Sequence, residues 1–379
     1  MKRDEADSPD AAVAALLQRL VPVIHAARTN AQSLDRAGHF PTDDLAALRQ
    51  AGVLRAVLPA LLGGLGIGTD PEQAPATASL LRLIGSGSIA LGRIFEAHLN
   101  AIRLVMQCGN AEQRRAVATD VRDGHLHALW VTDASIGLRY RETADCMEGE
   151  IIELDGEKLP CSAAGHATRA IVTATDPNGD VRLLRLRLGN GEVVSSLASG
   201  LQGVRSSITG GVDFTGTRQH AGSVIGSPGD YLREPDFSAG AWRTCAVTVG
   251  ALAALVESVR AELIARNRAD HPQQSERLGR MFIHVQTASL WLRHVAPIAE
   301  NPEQDPAYAI ATVNLARIAI EAACLDSLQL VQRSLGMSAF LQTNPVERMM
   351  RDLGTYLRQP APDEALCEAS GYFVTNPLR

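Results

Sequence analysis

The chain changes its residue pattern twice, and that order limits the folds open to it. From Ala11 to about Arg122, apolar residues recur at three- and four-residue steps, as in Val13-Ala14-Ala15-Leu16-Leu17 and Leu45-Ala46-Ala47-Leu48. That spacing lays a stripe along one face of a helix. From Leu126 to about Ile225 the runs become short, alternating or β-branched: Leu129-Trp130-Val131-Thr132, Ile151-Ile152-Glu153-Leu154, Ala170-Ile171-Val172-Thr173 and Val181-Arg182-Leu183-Leu184. From Ala239 long Ala/Leu/Val segments return, at Ala246–Arg266, Met281–Ile298 and Ala309–Val331. The pattern predicts an α+β chain: an all-α region over 1–125, a β domain (barrel or sandwich) over 126–235 and a helical bundle over 236–379.

Local signals refine the boundaries. Pro41 with Thr42 opens a helix, and Gly63-Gly64-Leu65-Gly66-Ile67-Gly68 is a loop that cannot stay helical. A helix from Ile89 to Cys108 should stop at Gly109-Asn110 with a left-handed cap. Asp155-Gly156 and Asn178-Gly179 read as hairpin turns. Apolar residues cover more than one face of 309–331, as in a buried bundle helix or a subunit interface.

Charge and cysteine usage narrow the partners. The net charge of -6, with no Lys/Arg-rich run, offers nothing to a phosphate backbone or an anionic lipid surface, so neither nucleic acid nor membrane is expected. The charged start Met1-Lys2-Arg3-Asp4-Glu5-Ala6-Asp7 reads as a frayed tail and has no apolar stretch like that of a secretory signal. No uncharged apolar run approaches the ~20 residues of a membrane-spanning helix, so a cytoplasmic protein is expected. Cys108, Cys146, Cys161, Cys245, Cys324 and Cys367 are scattered without a Cys-x-x-Cys or paired-His spacing. They read as reduced, partly buried thiols, and no metal is expected. Aromatics are only 4% of a chain that is 46% hydrophobic, so Ala, Leu, Val and Ile must fill the core.

Several stretches resemble the flavin-dependent acyl-CoA dehydrogenase superfamily. Phe40-Pro41 through Gly52-Val53, then Gly63-Gly64-Leu65-Gly66, is similar to the family's N-terminal helix and glycine loop. Gly109-Asn110-Ala111-Glu112-Gln113-Arg114 resembles the segment before the β domain. Trp130-Val131-Thr132-Asp133 stands where the family has an aromatic-x-Thr-Glu strand, and Gly156-Glu157-Lys158 opens the second flavin-facing strand. The most specific match is Leu335-Gly336-Met337-Ser338-Ala339-Phe340 followed by Asn344-Pro345-Val346-Glu347-Arg348-Met349-Met350-Arg351-Asp352. It is similar to a glycine loop and a Pro-x-Glu-[Arg/Lys]-x-x-Arg-Asp helix. The resemblance implies an N-terminal helical domain, a middle β-barrel domain and a C-terminal four-helix bundle.

It also implies FAD, or FMN and reduced flavin in a monooxygenase. Trp130, Thr132 and Ser162 would face the ring, while Arg266, Arg333 and Gly336 would lie by the diphosphate or adenosine. An arginine suits that place because its planar fork carries several donors and a permanent charge. The family's Trp-x-Thr appears here as Pro160-Cys161-Ser162, which keeps only the hydroxyl. Arg266 lacks the usual Phe-Gly after it, leaving Arg268 as an alternative, and Arg333 replaces a glutamine beside Gln332. On the CoA side, Ser135-Ile136-Gly137-Leu138-Arg139-Tyr140-Arg141 replaces a Gly-x-Gly-Ser-Asp motif. Arg139 and Arg141 are either solvated loop arginines or contacts for another anion.

The family's reaction needs a base for the α-proton. Counting from Arg351-Asp352, its glutamate falls at Pro360, and its alternative place, just before Arg243, holds Trp242. Pro360 and Pro362 should extend the backbone, so Asp363 or Glu364 could substitute only through a rerouted loop. Glu96 maps to the deep end of the acyl pocket, with Asn100 one turn on and His98 on another face. It is either the catalytic acid or base, or a paired structural acid. Three functions follow. The first is an oxidoreductase with altered chemistry, such as a reduced-flavin monooxygenase or hydroxylase on a small organic substrate. The second is a non-catalytic subunit, and the third an acyl-CoA dehydrogenase with a displaced base. A homodimer or homotetramer is implied, with a flavin reductase or electron-transfer protein as a further partner.

Overall fold

The computed structural model describes residues 9–145, 149–189, 191–196, 200–358 and 360–377. The N-terminal tail and Cys146 lie outside them. Six helices come first: α1 (Pro9–Ala37), α2 (Thr42–Gln50), α3 (Val53–Ala56), α4 (Ala74–Gly87), α5 (Ile89–Cys108) and α6 (Ala111–Arg122). Ten strands follow: β1 (His127–Trp130), β2 (Arg139–Asp145), β3 (Gly149–Asp155), β4 (Glu157–Cys161), β5 (Arg169–Thr175), β6 (Val181–Arg187), β7 (Val193–Ser196), β8 (Gly210–Asp213), β9 (Arg218–His220) and β10 (Val224–Ile225). The chain closes with α7 (Asp236–Ala239), α8 (Trp242–Ala265), α9 (Pro272–Glu300), α10 (Pro306–Leu335), α11 (Pro345–Tyr356) and α12 (Pro362–Thr375). This order of helices, mixed sheet and helices is the helix, strand, helix order read from the sequence.

The strands form two sheets. The larger runs β10-β6-β5-β2-β3-β9 with β1 parallel to β5, and the smaller runs β4-β8-β7. Asn178-Gly179 closes the expected hairpin between β5 and β6, with Gly179 at φ 91. Asp155-Gly156 does not: β3 pairs with β2 and β9, while β4 pairs with β8. The dipeptide is instead the corner where the chain changes sheets. A Cβ on Gly156 would sit 2.5 Å from the Gly137 carbonyl oxygen, so close backbone approach demands the glycine.

Three other expectations change. Gly109 is extended (φ -73, ψ 153), not left-handed, because Asn110 is used as the cap of α6, its side chain accepting from Gln113 N. Arg139 and Arg141 lie on strand β2, in exposed ion pairs with Asp155 (2.9 Å) and Glu153 (2.5 Å). Pro362 does not hold the backbone extended but starts α12, where its missing N–H costs nothing.

One apolar core runs through both helical regions and the sheets. Its tightest seam lies between α4 and α8: a Cβ on Gly85 would meet the Val247 oxygen at 2.3 Å, and one on Gly250 the Arg82 oxygen at 1.9 Å. Helices this close need bare backbone at the crossing. Gly92 of α5 packs on Val247 in the same way, so α5 and α8 are held face to face. By length and apolar content α1 and α10 could also cross a membrane, yet Leu16, Leu20 and Ile24 of α1 and Val313, Ile320 and Val331 of α10 are buried in this core.

Candidate functional site

The stripe Arg93, Glu96, Asn100 and Arg103 runs down α5 at helical spacing. Its last three members line a cavity of about 570 Å³, together with Arg243, Thr244 and Cys245 of α8, Arg317 of α10 and Tyr356 of α11. Glu96 is buried and accepts from three neutral donors: Tyr356 OH (2.8 Å), Thr244 Oγ1 (2.8 Å) and Asn100 Nδ2 (3.2 Å). Burial and the neighbouring carboxylate push the Tyr356 phenol well above its ordinary value, so it stays protonated and donates.

Behind Glu96 lies a buried ion-pair network. Asn100 Oδ1 accepts from Arg243 Nε (2.6 Å), and Glu300 Oε1 accepts from Arg243 Nη1 (2.8 Å) and Trp242 Nε1 (2.9 Å). Arg103 Nη1 lies 2.6 Å from the other Glu300 oxygen, while its Nη2 bonds Asp236 (3.1 Å). Burial, followed by Arg103, lowers the Arg243 pKa from its ordinary value, with Glu300 and Glu96 opposing. Glu300 ends α9, where the helix dipole disfavours a negative charge, and the two arginines offset that cost.

Neither position that the resemblance assigns to the base carries an acid or base group. Pro360 lines the cavity, and its carbonyl accepts from Arg317. Trp242 is buried against Glu300. Glu364 does reach the cavity, because the helix begun at Pro362 turns it inward, but it sits exposed at the rim with Glu368. Asp230, Asp236 and Glu321 are held by Arg233, Arg103 and Arg358. Among the described residues, Glu96 is thus the one buried carboxylate lining the cavity that has no arginine directly upon it.

The three residues expected to face a flavin ring meet at one place. Trp130 is buried and donates from Nε1 to the Ser162 carbonyl (2.9 Å), and the Thr132 carbonyl accepts from Leu159 N (3.1 Å). Buried Lys158 fixes this junction, with Nζ bonded to Asp133 (2.5 Å) and Thr173 (2.8 Å). The strand ends at Trp130, so Thr132 lies past it with its side chain exposed. Sequence reasoning missed a fourth member, Arg93, whose Nε donates to Ser162 Oγ at 2.6 Å. Its charge opposes the rise that burial and Glu96 impose on the Tyr356 pKa, and on α5 it stands one turn before Glu96. Its spacing of three residues from Glu96 was the only sign in the sequence.

Arg266 and Gly336 also come together, at the far end of α10. Arg266 Nη2 donates to Ser338 Oγ (2.7 Å) and pairs with Glu262, to which Ser338 and Asn344 also donate (3.0 and 2.9 Å). Gly336 has φ 57 and ψ -136, a conformation open to glycine alone, and faces open space. Arg333 is exposed there, its carbonyl accepting from Arg277 (3.0 Å). Among the described residues no hydrogen bond joins this group to the Ser162 edge. The residues fit the implied flavin: the guanidinium at Ser162 matches a ring that gains negative charge on reduction, and the open glycine turn beside Arg266 leaves room for a phosphate.

Two family models match the chain. "Acyl-CoA dehydrogenase, N-terminal domain" matches residues 17–125, and "Acyl-CoA dehydrogenase, C-terminal domain" matches 244–358, together more than half its length. A 3-sulfinopropanoyl-CoA desulfinase from Advenella mimigardefordensis is 25% identical over 354 residues, covering 86% of this chain and 83% of its own. Dibenzothiophene monooxygenase TdsC from Paenibacillus sp. A11-2, also solved with FMN, superposes with a TM-score of 0.81 at 19% identity, covering 96% of this chain and 98% of its own. Butyryl-CoA dehydrogenase from Megasphaera elsdenii superposes at 0.79 with 16% identity, covering 99% and 100%.

Proposed function

Because the chain belongs to the acyl-CoA dehydrogenase family, we propose that it is a flavin-dependent oxidoreductase that has given up α,β-dehydrogenation and acts as a reduced-flavin monooxygenase on a small organic substrate. The observation that carries this reading is a cavity whose buried interior offers no free base: Pro360 and Trp242 stand at the two positions the resemblance assigns to one, Glu96 is occupied by three donors, and Glu364 and Glu368 lie exposed at the rim. When bound, a reduced flavin supplies the electrons that activate oxygen, a reaction that needs no α-proton base. TdsC carries FMN, and FMN or FAD is the expected group here. Thr132 and Ser162 would hold the ring edge, with buried Trp130 bracing Ser162 from behind and Arg93 balancing the ring's charge. Arg266 and Gly336 would meet the phosphate end, and Arg333 flanks them. The Glu96–Tyr356 pair, bonded to itself, gives the deep end of the cavity a fixed polar wall against which the substrate would rest.

Exposed Phe282, Ile283 and Leu290 on α9 and Leu325 on α10 suit contact with a second copy, so a homodimer or homotetramer belongs to the proposal. So do a flavin reductase as the source of reduced flavin and a cytoplasmic setting. A cavity this large, with charged groups set among apolar walls, favours an enzyme over an inert subunit.

A second reading rests on the desulfinase relative: hydrolytic desulfination, in which the C–S bond breaks, the carbon takes a proton from water and the sulfur leaves with the water's oxygen as sulfite, also needs no α-proton base. The test is to reconstitute the purified chain with FMN or FAD and measure oxygen uptake with reduced flavin, then add butyryl-CoA anaerobically. Flavin-dependent oxygen uptake with no bleaching by butyryl-CoA is expected. Bleaching would restore the dehydrogenase, and sulfite release from a sulfinate substrate would favour the second reading.

A further inference from the structure

Four arginines line the cavity, and they are not equivalent. Arg103 is paired with Asp236 and Glu300, Arg233 with Asp230, and Arg243 with Glu300. Arg317 has no carboxylate within ion-pair distance among the described residues, and its one hydrogen bond there goes to the neutral carbonyl of Pro360. A half-buried guanidinium has five donors and a charge that a single carbonyl leaves largely unanswered.

The surroundings narrow what would answer it. Ile320, Leu357, Leu104 and Leu129 give the cavity apolar walls. Thr244, Tyr356 and Glu96 form a polar cluster already bonded to itself. Cys245, Glu96 and Arg317 line the same cavity, and burial pushes the Cys245 thiol up to about 12. The remaining acids, Glu364 and Glu368, sit exposed on the first turns of α12, where water screens them.

We propose that Arg317 receives the anionic end of the substrate, so the cavity selects a small organic monoanion with an apolar body over its neutral or cationic counterpart. This rests on reading the cavity as the substrate site and adds the substrate's charge. Arg317 is then a binding residue on the wall where the family would place its base, using a cation where that chemistry would need an anion. The same contact explains why Pro360 is accepted: what Arg317 takes from that position is a backbone carbonyl, which proline supplies.

The test needs no flavin, so it stands apart from the proposed reaction. Hexanoate, hexanamide and hexylamine are titrated by calorimetry into the purified chain, its Arg317→Gln variant and its Arg317→Lys variant. The wild type should bind hexanoate at least tenfold more tightly than hexanamide, with hexylamine weaker still. Arg317→Gln should erase the preference, and Arg317→Lys should keep part of it. Equal binding of acid and amide by the wild type, absence of saturable hexanoate binding, or an intact preference in Arg317→Gln overturns the assignment. The wild-type comparison decides even if a variant fails to fold.

Discussion

Acid should destabilise this fold through two buried imidazoles. His98 is fully buried on α5, with Nε2 3.2 Å from the Leu54 carbonyl and Nδ1 accepting from His127 N at 3.1 Å. That arrangement suits the neutral ring protonated on Nε2, since a proton on Nδ1 would face the amide hydrogen. Burial accordingly lowers its pKa from 6.5 to about 4. His127 is held well below its ordinary value by burial and then by His98. In the unfolded chain both rings take up protons near 6.5, so between that value and about 4 the unfolded state binds more protons and stability falls as pH falls. The full window for His98 is worth roughly 3 kcal/mol, most of it gone by about pH 4.5, and His127 adds in the same direction.

The assay is urea unfolding at neutral pH and at about pH 4.5 for the wild type and His98→Gln. The glutamine amide can give a hydrogen bond to Leu54 and take one from His127 without titrating. The wild type should lose about 2 to 3 kcal/mol more than the variant across that range. Carboxylate titrations, such as that of Asp120, whose pKa Arg169 and Arg185 lower, cancel in the comparison. Equal losses in the two proteins would refute the reasoning.

Arg243→Met leaves Glu300 buried with Arg103 alone and should cost about 3 to 5 kcal/mol in urea unfolding. Glu96→Gln presents an amide N–H₂ to one of two hydroxyl donors, Tyr356 or Thr244, and should cost about 1 to 3 kcal/mol; lost activity with unchanged stability would instead mark Glu96 as a catalytic acid or base. Gly336→Ala meets no heavy atom within 4 Å, so backbone strain alone should cost about 1 to 3 kcal/mol, read as a lower unfolding midpoint.

The helix, strand, helix order was legible because apolar spacing follows the period of each element, and the family resemblance followed from the Gly336 loop and the Arg351-Asp352 helix. Pairing was not. Asp155-Gly156 has the composition of a hairpin turn, but composition does not say which strand the next one joins, and here the sheet changes. Nor does the sequence say whether Pro362 extends the backbone or opens a helix, because a proline's effect depends on whether it falls before a helix or at its first turn. Glu96 was found by position, but its state depends on Thr244 and Tyr356, the latter 260 residues away, which no local pattern encodes. Arg93 was missed for the same reason: a single helical arginine reads as solvated until the β domain brings Ser162 to it.

The central claim is a flavin held at the junction of Ser162 and Arg93, and flavin titration of the purified chain beside its Arg93→Ala variant tests it most directly. Saturable binding of one flavin per chain is predicted, at least tenfold weaker in the variant, a loss of about 1.4 kcal/mol or more. Absence of saturable binding, or equal affinity in the two proteins, would contradict the account.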